Sequence, residues 1–362
     1  MAREKGRGAR TRVNGNGASK ASELAAASFH PDGSLGKGLV HYVVSHQIDL
    51  PLYVICPLSL LSVFGSSTAK TFFSLQYQDK TTGLYDKGWQ DLNFICFWVL
   101  AFTALRAGIM EYLLTPFARR SGITSPAKVI RFAEQGWSVI YYVIFWSLGM
   151  YIMYNSPYWF NTSYFWIAYP HVQLTGLMKW YYLVQFAFWI QQVFVLSIEK
   201  KRKDFIPMLT HHLVTCTLIS CSYLTNHTRI GNAVLCCMDF SDILFSLAKV
   251  LNYLGLRQVC DLTFGLFFVS WIITRQTLYP IIIWTTYRDP QRFLDMKWDP
   301  SKGKYFTSFT QNCYLGLFAA LQVIILIWFF MILKVAWKVI SGNSAEDTRS
   351  DSEESEGEQK KR

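Results

Sequence analysis

Apolar residues in this chain run in long blocks separated by short polar stretches, rather than in the narrow stripes of amphipathic helices. A block of about 20 residues spans the ~30 Å hydrocarbon layer as one helix. The blocks predict eight spanning helices, at 48–66, 92–114, 136–155, 176–197, 207–226, 230–252, 260–285 and 312–338. Pro51 and Pro57 interrupt the first and make it the weakest. The fourth carries Gln185, Gln191 and Gln192, and the sixth carries Asp239 and Asp242. The sixth must therefore face protein or a polar cavity rather than lipid. The pattern is that of an all-α, polytopic membrane protein.

Polar segments divide the rest. Residues 1–47 are basic and rich in Gly, Ala and Ser, and read as a disordered tail. They show no signal-peptide pattern, so the first block is expected to act as an uncleaved anchor. Residues 48–127 hold two helices and a basic loop, 128–340 hold six helices, and 341–362 form an acidic, serine-rich, disordered tail. In that tail Ser344, Thr348, Ser350 and Ser355 each have an acid three residues on, the pattern of an acidophilic kinase site.

Composition agrees with lipid as the solvent: 51% of residues are hydrophobic and only 16% charged. The net charge of +11 does not indicate a nucleic-acid partner. Its Lys and Arg residues sit in short loops beside apolar blocks, and no zinc-finger spacing or phosphate-cradling glycine loop is present. Arg119, Arg120, Lys128, Arg131 and the run Lys200 to Lys203 fall on the same side as the N-terminal tail. That side is assigned to the cytosol, together with both termini. The loop 286–311 conflicts with this, because it carries five cations on the other side, mixed with Asp289, Asp295 and Asp299. Two sequons, at Asn161 and Asn226, fall on the predicted lumenal side. Asn161 is the candidate glycosylation site, since Asn226 lies almost in the membrane. The eight cysteines form no CxxC pair and read as small packing residues, with neither a disulfide framework nor a metal site.

The candidate chemistry lies between residues 200 and 253. Pro207 suits the first turn of the fifth helix, and His211 and His212 enter the membrane one turn later. Asp239 and Asp242 share one face of the sixth helix, and Ser246 continues it. Counted back from Tyr253 at ~1.5 Å per residue, Asp242 lies roughly 16 Å deep and Asp239 roughly 20 Å. The four groups are expected to converge between the cytosolic surface and the midplane. Buried carboxylates there must be paired or neutral, and a histidine is a natural partner whose tautomer a carboxylate fixes. The bland alternative is a satisfied polar network joining two helices. Zinc ranks low, because adjacent histidines point about 100° apart on a helix. Arg275 on the seventh helix is either the counter-ion of an aspartate or a substrate contact.

The segment Lys128-Val-Ile-Arg-Phe-Ala-Glu-Gln-Gly-Trp137 and the run from Lys203-Asp204-Phe205 through His211-His212, Arg229-Ile-Gly231 and Asp239-Phe-Ser-Asp242 to Asn252-Tyr253 resemble the ceramide synthase family of the longevity-assurance type, built on the TLC domain. Met238 before Asp239 resembles the fungal branch. The resemblance implies a helical barrel enclosing a polar intramembrane site, in an enzyme of the endoplasmic reticulum. It also implies transfer of a fatty acyl group from acyl-CoA to the amine of dihydrosphingosine or phytosphingosine. Acyl-CoA is then a substrate, and no cofactor is expected. His211, His212, Asp239 and Asp242 become the catalytic set, one histidine acting as base or as acyl-accepting nucleophile. Lys201, Arg202, Lys203, Ser241, Asn252 and Arg275 become candidate substrate contacts. The loop from Tyr287 to Phe309 becomes a candidate for setting acyl length. Partners are the two substrates and membrane lipid, with a homodimer, a paralogue heterodimer or a small accessory subunit left open. The competing readings are a non-catalytic TLC-domain protein and a transporter. Paired buried ionisable groups weigh against the first, and the lack of two homologous halves against the second.

Overall fold

A computed structural model describes residue 38, residues 42–198 and residues 205–340. Lys201, Arg202, Lys203, Ser344, Thr348, Ser350, Ser355 and nearly all of the N-terminal tail lie outside the described residues. Among the described residues the elements are helical, with isolated bridges only at Gln78–Tyr85, Tyr85–Leu174 and Asp299–Lys304.

The principal helices are α1 (Asp49–Val63), α2 (Ser67–Phe73), α3 (Asp91–Arg120), α4 (Pro126–Tyr154), α5 (Gly176–Ile198), α6 (Phe205–Leu224), α7 (Thr228–Tyr253), α8 (Arg257–Arg288) and α9 (Ser308–Ile340). Six of them are both long and apolar enough to cross a bilayer: α3, α4, α5, α6, α8 and α9. The expected eight are not all of that kind. Helix α7 has 26 residues but is less apolar, because Asp239, Ser241, Asp242, Ser246 and Asn252 lie along it. Helix α1 is apolar but has 15 residues, about 22 Å at 1.5 Å each. It stops at Gly65, whose φ of +94° suits glycine, and the Ser66 side chain then caps α2 by accepting from the Ala69 amide. Helix α4 begins ten residues before its expected start, because Pro126 opens it on a polar first turn that an apolar-block reading ignores.

Helices α3 and α8 each widen into a π-helical stretch, at Ile109–Leu114 and Ile272–Leu278. Both stretches lead into an X-Pro pair, Thr115-Pro116 and Tyr279-Pro280. A proline ring lacks the N–H for the carbonyl four residues back and crowds it, and a wider turn relieves that contact. The second stretch carries Arg275, so the same irregularity sets the position of an intramembrane cation.

Six helices close a ring in the spatial order α4, α7, α8, α9, α6, α5, and α5 returns to α4. Helix α3 packs outside against α5, and α1 and α2 pack on α3. Outward faces carry Ile144, Leu266, Val323 and Phe330, as a lipid-facing surface requires. One end of the ring, here called the basic end, carries the turn at 121–125 and the C-terminus of α7. The other, loop-rich end carries segments 74–90, 155–175, 225–227 and 289–307.

Buried charges lock the loop-rich end together. Lys179 Nζ pairs with Asp91 at 2.7 Å and donates to the carbonyls of Gln76 and Asp86. Tyr223 donates to Asp91 at 2.8 Å, and Lys87 donates to the Tyr223 carbonyl and to Asn226 Oδ1. The mixed charge of loop 286–311 pairs internally: Arg288 with Asp289, Lys304 with Asp295 and, more loosely, Lys302 with Asp299. The loop is therefore less basic than its cation content suggests.

Candidate active site

Two connected spaces lie inside the ring. The larger, about 350 Å³, opens at the basic end and is lined from all six ring helices. His211, His212, Asp242, Ser246, Lys249, Asn252 and Arg275 face it. Arg106 of α3 and Arg131, Glu134 and Gln135 of α4 also line it. The smaller is a narrow apolar crevice that runs from His211 toward the loop-rich end, past Thr215, Leu218, Val234 and Phe318 to His227 and Phe306. His211 and Trp189 belong to both walls.

The histidines sit one helical turn after Pro207, where α6 enters the ring. Trp189 of α5 meets both rings edge-on, at centroid distances of 5.6 Å for His211 and 5.4 Å for His212. Trp328 of α9 meets His211 at 5.1 Å. The Nδ1 atoms of both histidines are buried without a hydrogen-bond partner. Aromatic contacts hold these imidazoles and leave their Nδ1 atoms unpaired.

The carboxylates behave differently from expectation. Asp242 pairs with Arg275 at 2.7 Å, and Arg275 Nη2 also donates to the Met238 carbonyl at 2.7 Å. The guanidinium lies 4.0 Å from the Trp271 ring centre. Arg275 is therefore the counter-ion of Asp242 as well as part of the cavity wall. Asp239 does not reach the cavity. It is fully buried, and its Oδ2 accepts from Gln185 Nε2 at 3.2 Å. Gln185 in turn accepts from Tyr141 and donates to the Tyr181 hydroxyl at 3.3 Å. Among the described residues no hydrogen bond joins either histidine to either aspartate, so the expected His–Asp pairing is replaced by Gln185–Asp239 and Arg275–Asp242. The α7 periodicity puts Asp239 and Asp242 on one face, but that face is split between the α4/α5 packing interface and the cavity.

Ser241 is not on the cavity wall. It is fully buried and bonds to Thr274 at 2.9 Å, with Ser270 donating to it at 3.3 Å, which ties α7 to α8. Asn252 lines the cavity at its mouth. Asn161, at the loop-rich end, is exposed, and its Oδ1 accepts from the Ser163 amide. Trp189 and Trp328 are site residues that sequence reasoning does not single out, and Gln185 and Gln192 are noted there only as polar residues of an apolar helix. Gln185, Trp189 and Gln192 recur at i, i+4 and i+7, a polar-aromatic stripe within an apolar helix that could have been read as facing a cavity. The described residues hold no cluster of metal-ligating side chains.

Comparison with known proteins now places the chain. Residues 131–334 match the family model of the TLC domain shared by TRAM, LAG1 and CLN8 proteins. A sphingosine N-acyltransferase-like protein of Alternaria alternata is 43% identical over 313 residues, covering 78% of this chain and 72% of that protein. The sphingosine N-acyltransferase lag1 of Schizosaccharomyces pombe is 41% identical over 308 residues, 85% and 79% of the two chains. The ceramide synthase LAG1 of Saccharomyces cerevisiae is 34% identical over 328 residues, 86% and 77%. With the domain matched over more than half its length and these relatives aligned over most of theirs, the chain belongs to the TLC-domain family, in its sphingosine N-acyltransferase, or ceramide synthase, branch.

Proposed function

We propose that this protein is a ceramide synthase, joining a fatty acyl group from acyl-CoA to the amine of a sphingoid base. The observation that carries the reading is the position of His211, on the wall of the polar cavity and at the start of the apolar crevice. Acyl transfer between a polyanionic thioester and a lipid amine needs that junction. The CoA moiety stays in the open cavity, the acyl tail lies in the crevice, and the reactive carbonyl falls between them.

The residues supply a plausible reaction path. A sphingoid amine is mostly protonated at neutral pH, so an imidazole must take its proton before it attacks. The C–N bond then forms, the C–S bond breaks, and the departing thiolate takes a proton. Alternatively, an imidazole nitrogen attacks first, releases CoA, and passes the acyl group to the amine. Asp242, already neutralised by Arg275, lies on the same wall and can meet the ammonium of the incoming base. Arg131 and Lys249 line the cavity at the basic end, where CoA phosphates would arrive. Lys201, Arg202 and Lys203 lie outside the described residues, and the reading keeps them as candidate phosphate contacts from the sequence alone. On this reading the basic end faces the cytosol and the membrane is that of the endoplasmic reticulum.

The test is direct. Purified protein is incubated with dihydrosphingosine and a panel of acyl-CoAs, and ceramide is measured by mass spectrometry. Ceramide formation that depends on both substrates is expected. Correctly folded protein that makes none with any donor overturns the reading.

A further inference from the structure

The far end of the crevice carries a polar atom that the reaction does not use. His227 closes that end and is 3% exposed. Its ring is walled by Tyr169, stacked at 4.6 Å between centroids, and by Phe306 at 4.8 Å, Tyr314 at 5.7 Å and Trp166 at 5.7 Å. The crevice matches a ligand tail in length and, at about 40 Å³, must widen to take one. From His211 to Leu224 is thirteen residues of one helix, about 20 Å at 1.5 Å each, which is the reach of a long-chain acyl group.

The protons on this wall can be counted. Thr225 has one hydroxyl proton, and it donates to the Cys221 carbonyl at 2.8 Å. Its oxygen also lies 2.6 Å from the Tyr314 hydroxyl and 3.0 Å from His227 Nδ1. With its proton already committed, Thr225 can only accept from both neighbours. The one assignment that satisfies all three contacts at once puts a hydrogen on His227 Nδ1. The imidazole is also neutral, since burial, followed by the charges of His171 and Lys87, pushes its pKa down to about 3. A neutral imidazole protonated at Nδ1 has its lone pair at Nε2. That Nε2 is buried and has no hydrogen-bond partner.

An apolar crevice thus ends in an acceptor without a donor, and a buried unsatisfied acceptor costs more than the bond it would make returns. Resting on the acyltransferase reading above, we propose that His227 Nε2 receives the terminal hydroxyl of an ω-hydroxylated acyl chain, so that the crevice floor selects the chemistry of the tail end as well as its length. The hydroxyl donates to Nε2, and the aromatic rings of Tyr169, Trp166 and Phe306 pack around the last methylenes.

The experiment is a competition. Purified full-length protein receives dihydrosphingosine with an equimolar mixture of a saturated acyl-CoA and its ω-hydroxy counterpart of equal length, for a series of lengths. The two ceramides are quantified by mass spectrometry. At the length that reaches the floor, wild type is expected to favour the ω-hydroxy product several-fold. His227→Phe keeps the ring and removes the acceptor, so the product ratio is expected to shift about tenfold, the worth of roughly one buried hydrogen bond, which reverses the preference while the plain product continues to form. His227→Gln, which retains an acceptor, is expected to keep part of the preference. Equal use of the two donors by wild type at every length overturns the inference and needs no variant to do so. An unchanged preference in folded His227→Phe also overturns it. Ceramide from neither donor removes the acyltransferase reading and this inference together, whereas equal ceramide from both removes this inference alone.

Discussion

Asp242 and Arg275 meet at 2.7 Å on the cavity wall, and no other contact couples α7 to the π-helical stretch of α8 through opposite charges among the described residues. The pair explains how a carboxylate survives at membrane depth beside an apolar crevice. It also makes Arg275 a dual residue, pairing with Asp242 and fixing α8 through the Met238 carbonyl.

Removing one partner should cost more than removing both. Breaking a buried pair typically costs about 3–5 kcal/mol, because one charge is left uncompensated. Asp242 keeps 24% of its side chain exposed to the cavity, so Arg275→Gln and Asp242→Asn should each fall at the low end of that range. The double variant Asp242→Asn with Arg275→Gln is expected to recover part of the loss. Thermal unfolding of the detergent-solubilised variants measures this. Strictly additive losses would show that the pair contributes nothing as a pair.

Acid and base should act on the loop-rich end in two windows. Burial lowers the pKa of His171 to about 4 and that of His227 to about 3, so the folded state resists their protonation. The unfolded chain binds those protons near pH 6.5, and stability is therefore lost as pH falls from that value toward 4. Burial, with Lys179 nearby, also lowers Lys87 to about 7. Its unfolded value is near 10.5, so stability should rise between pH 7 and pH 10 as the unfolded chain loses its extra proton. Melting temperatures recorded across both windows provide the check. Lys87→Met should reduce the upper window to what Lys179 contributes and narrow the lower one, because the Lys87 charge also helps to hold both histidines down. A profile unchanged in the upper window would contradict this account of Lys87.

The two sequons should differ for a reason visible in their hydrogen bonds. Asn226 is 3% exposed, its Nδ2 donates to the Gly303 carbonyl at 2.8 Å, and its Oδ1 accepts from Lys87. A glycan there would break both contacts. Its φ of +68° is tolerated by asparagine better than by most residues. Asn226→Gln is expected to reduce folded yield with no change in glycan. Asn161→Gln is expected to leave folding intact and to remove any glycosidase-sensitive mobility shift. A glycan on Asn161 would also place the loop-rich end in the lumen, and its occurrence on Asn226 would contradict the burial argument.

How far the sequence reveals this architecture can be judged from particular residues. His211, His212, Asp239 and Asp242 are conspicuous because ionisable groups are rare within apolar blocks, and three of them do line one cavity. The split between Asp239 and Asp242 is not legible, because periodicity assigns both to one face and only the packing of α4 and α5 shows where that face divides. Trp189 and Trp328 are invisible for a different reason: tryptophan in a membrane helix is common on lipid-facing and interfacial surfaces. The closed ring is also hidden, since its α4–α7 and α6–α9 neighbours are not consecutive in the chain. The short α1 is partly legible, since Pro51 and Pro57 mark the first block as the weakest, but the stop at Gly65 is passed over by the apolar-block reading.

The two histidines should separate in their effects, because they occupy different walls. His211 borders both the cavity and the crevice, whereas His212 borders the cavity alone. The reactive carbonyl belongs where polar and apolar spaces meet, which puts it beside His211. Loss of a positioned general base lowers a rate by about 10²–10⁴-fold, and loss of a covalent nucleophile lowers it further. His211→Ala is therefore expected to lower ceramide formation per folded molecule by at least that factor, and His212→Ala to lower it severely but less. Truncation also removes ring packing on Trp189 and Trp328, so activity is expressed per folded molecule and abundance is measured alongside it. Incubation with radiolabelled acyl-CoA in the absence of sphingoid base adds a second readout. If the imidazole of His211 accepts the acyl group, label stays with denatured wild-type and His212→Ala protein and is absent from His211→Ala. Normal specific activity in folded His211→Ala would remove this residue from the reaction, whatever the fate of the label.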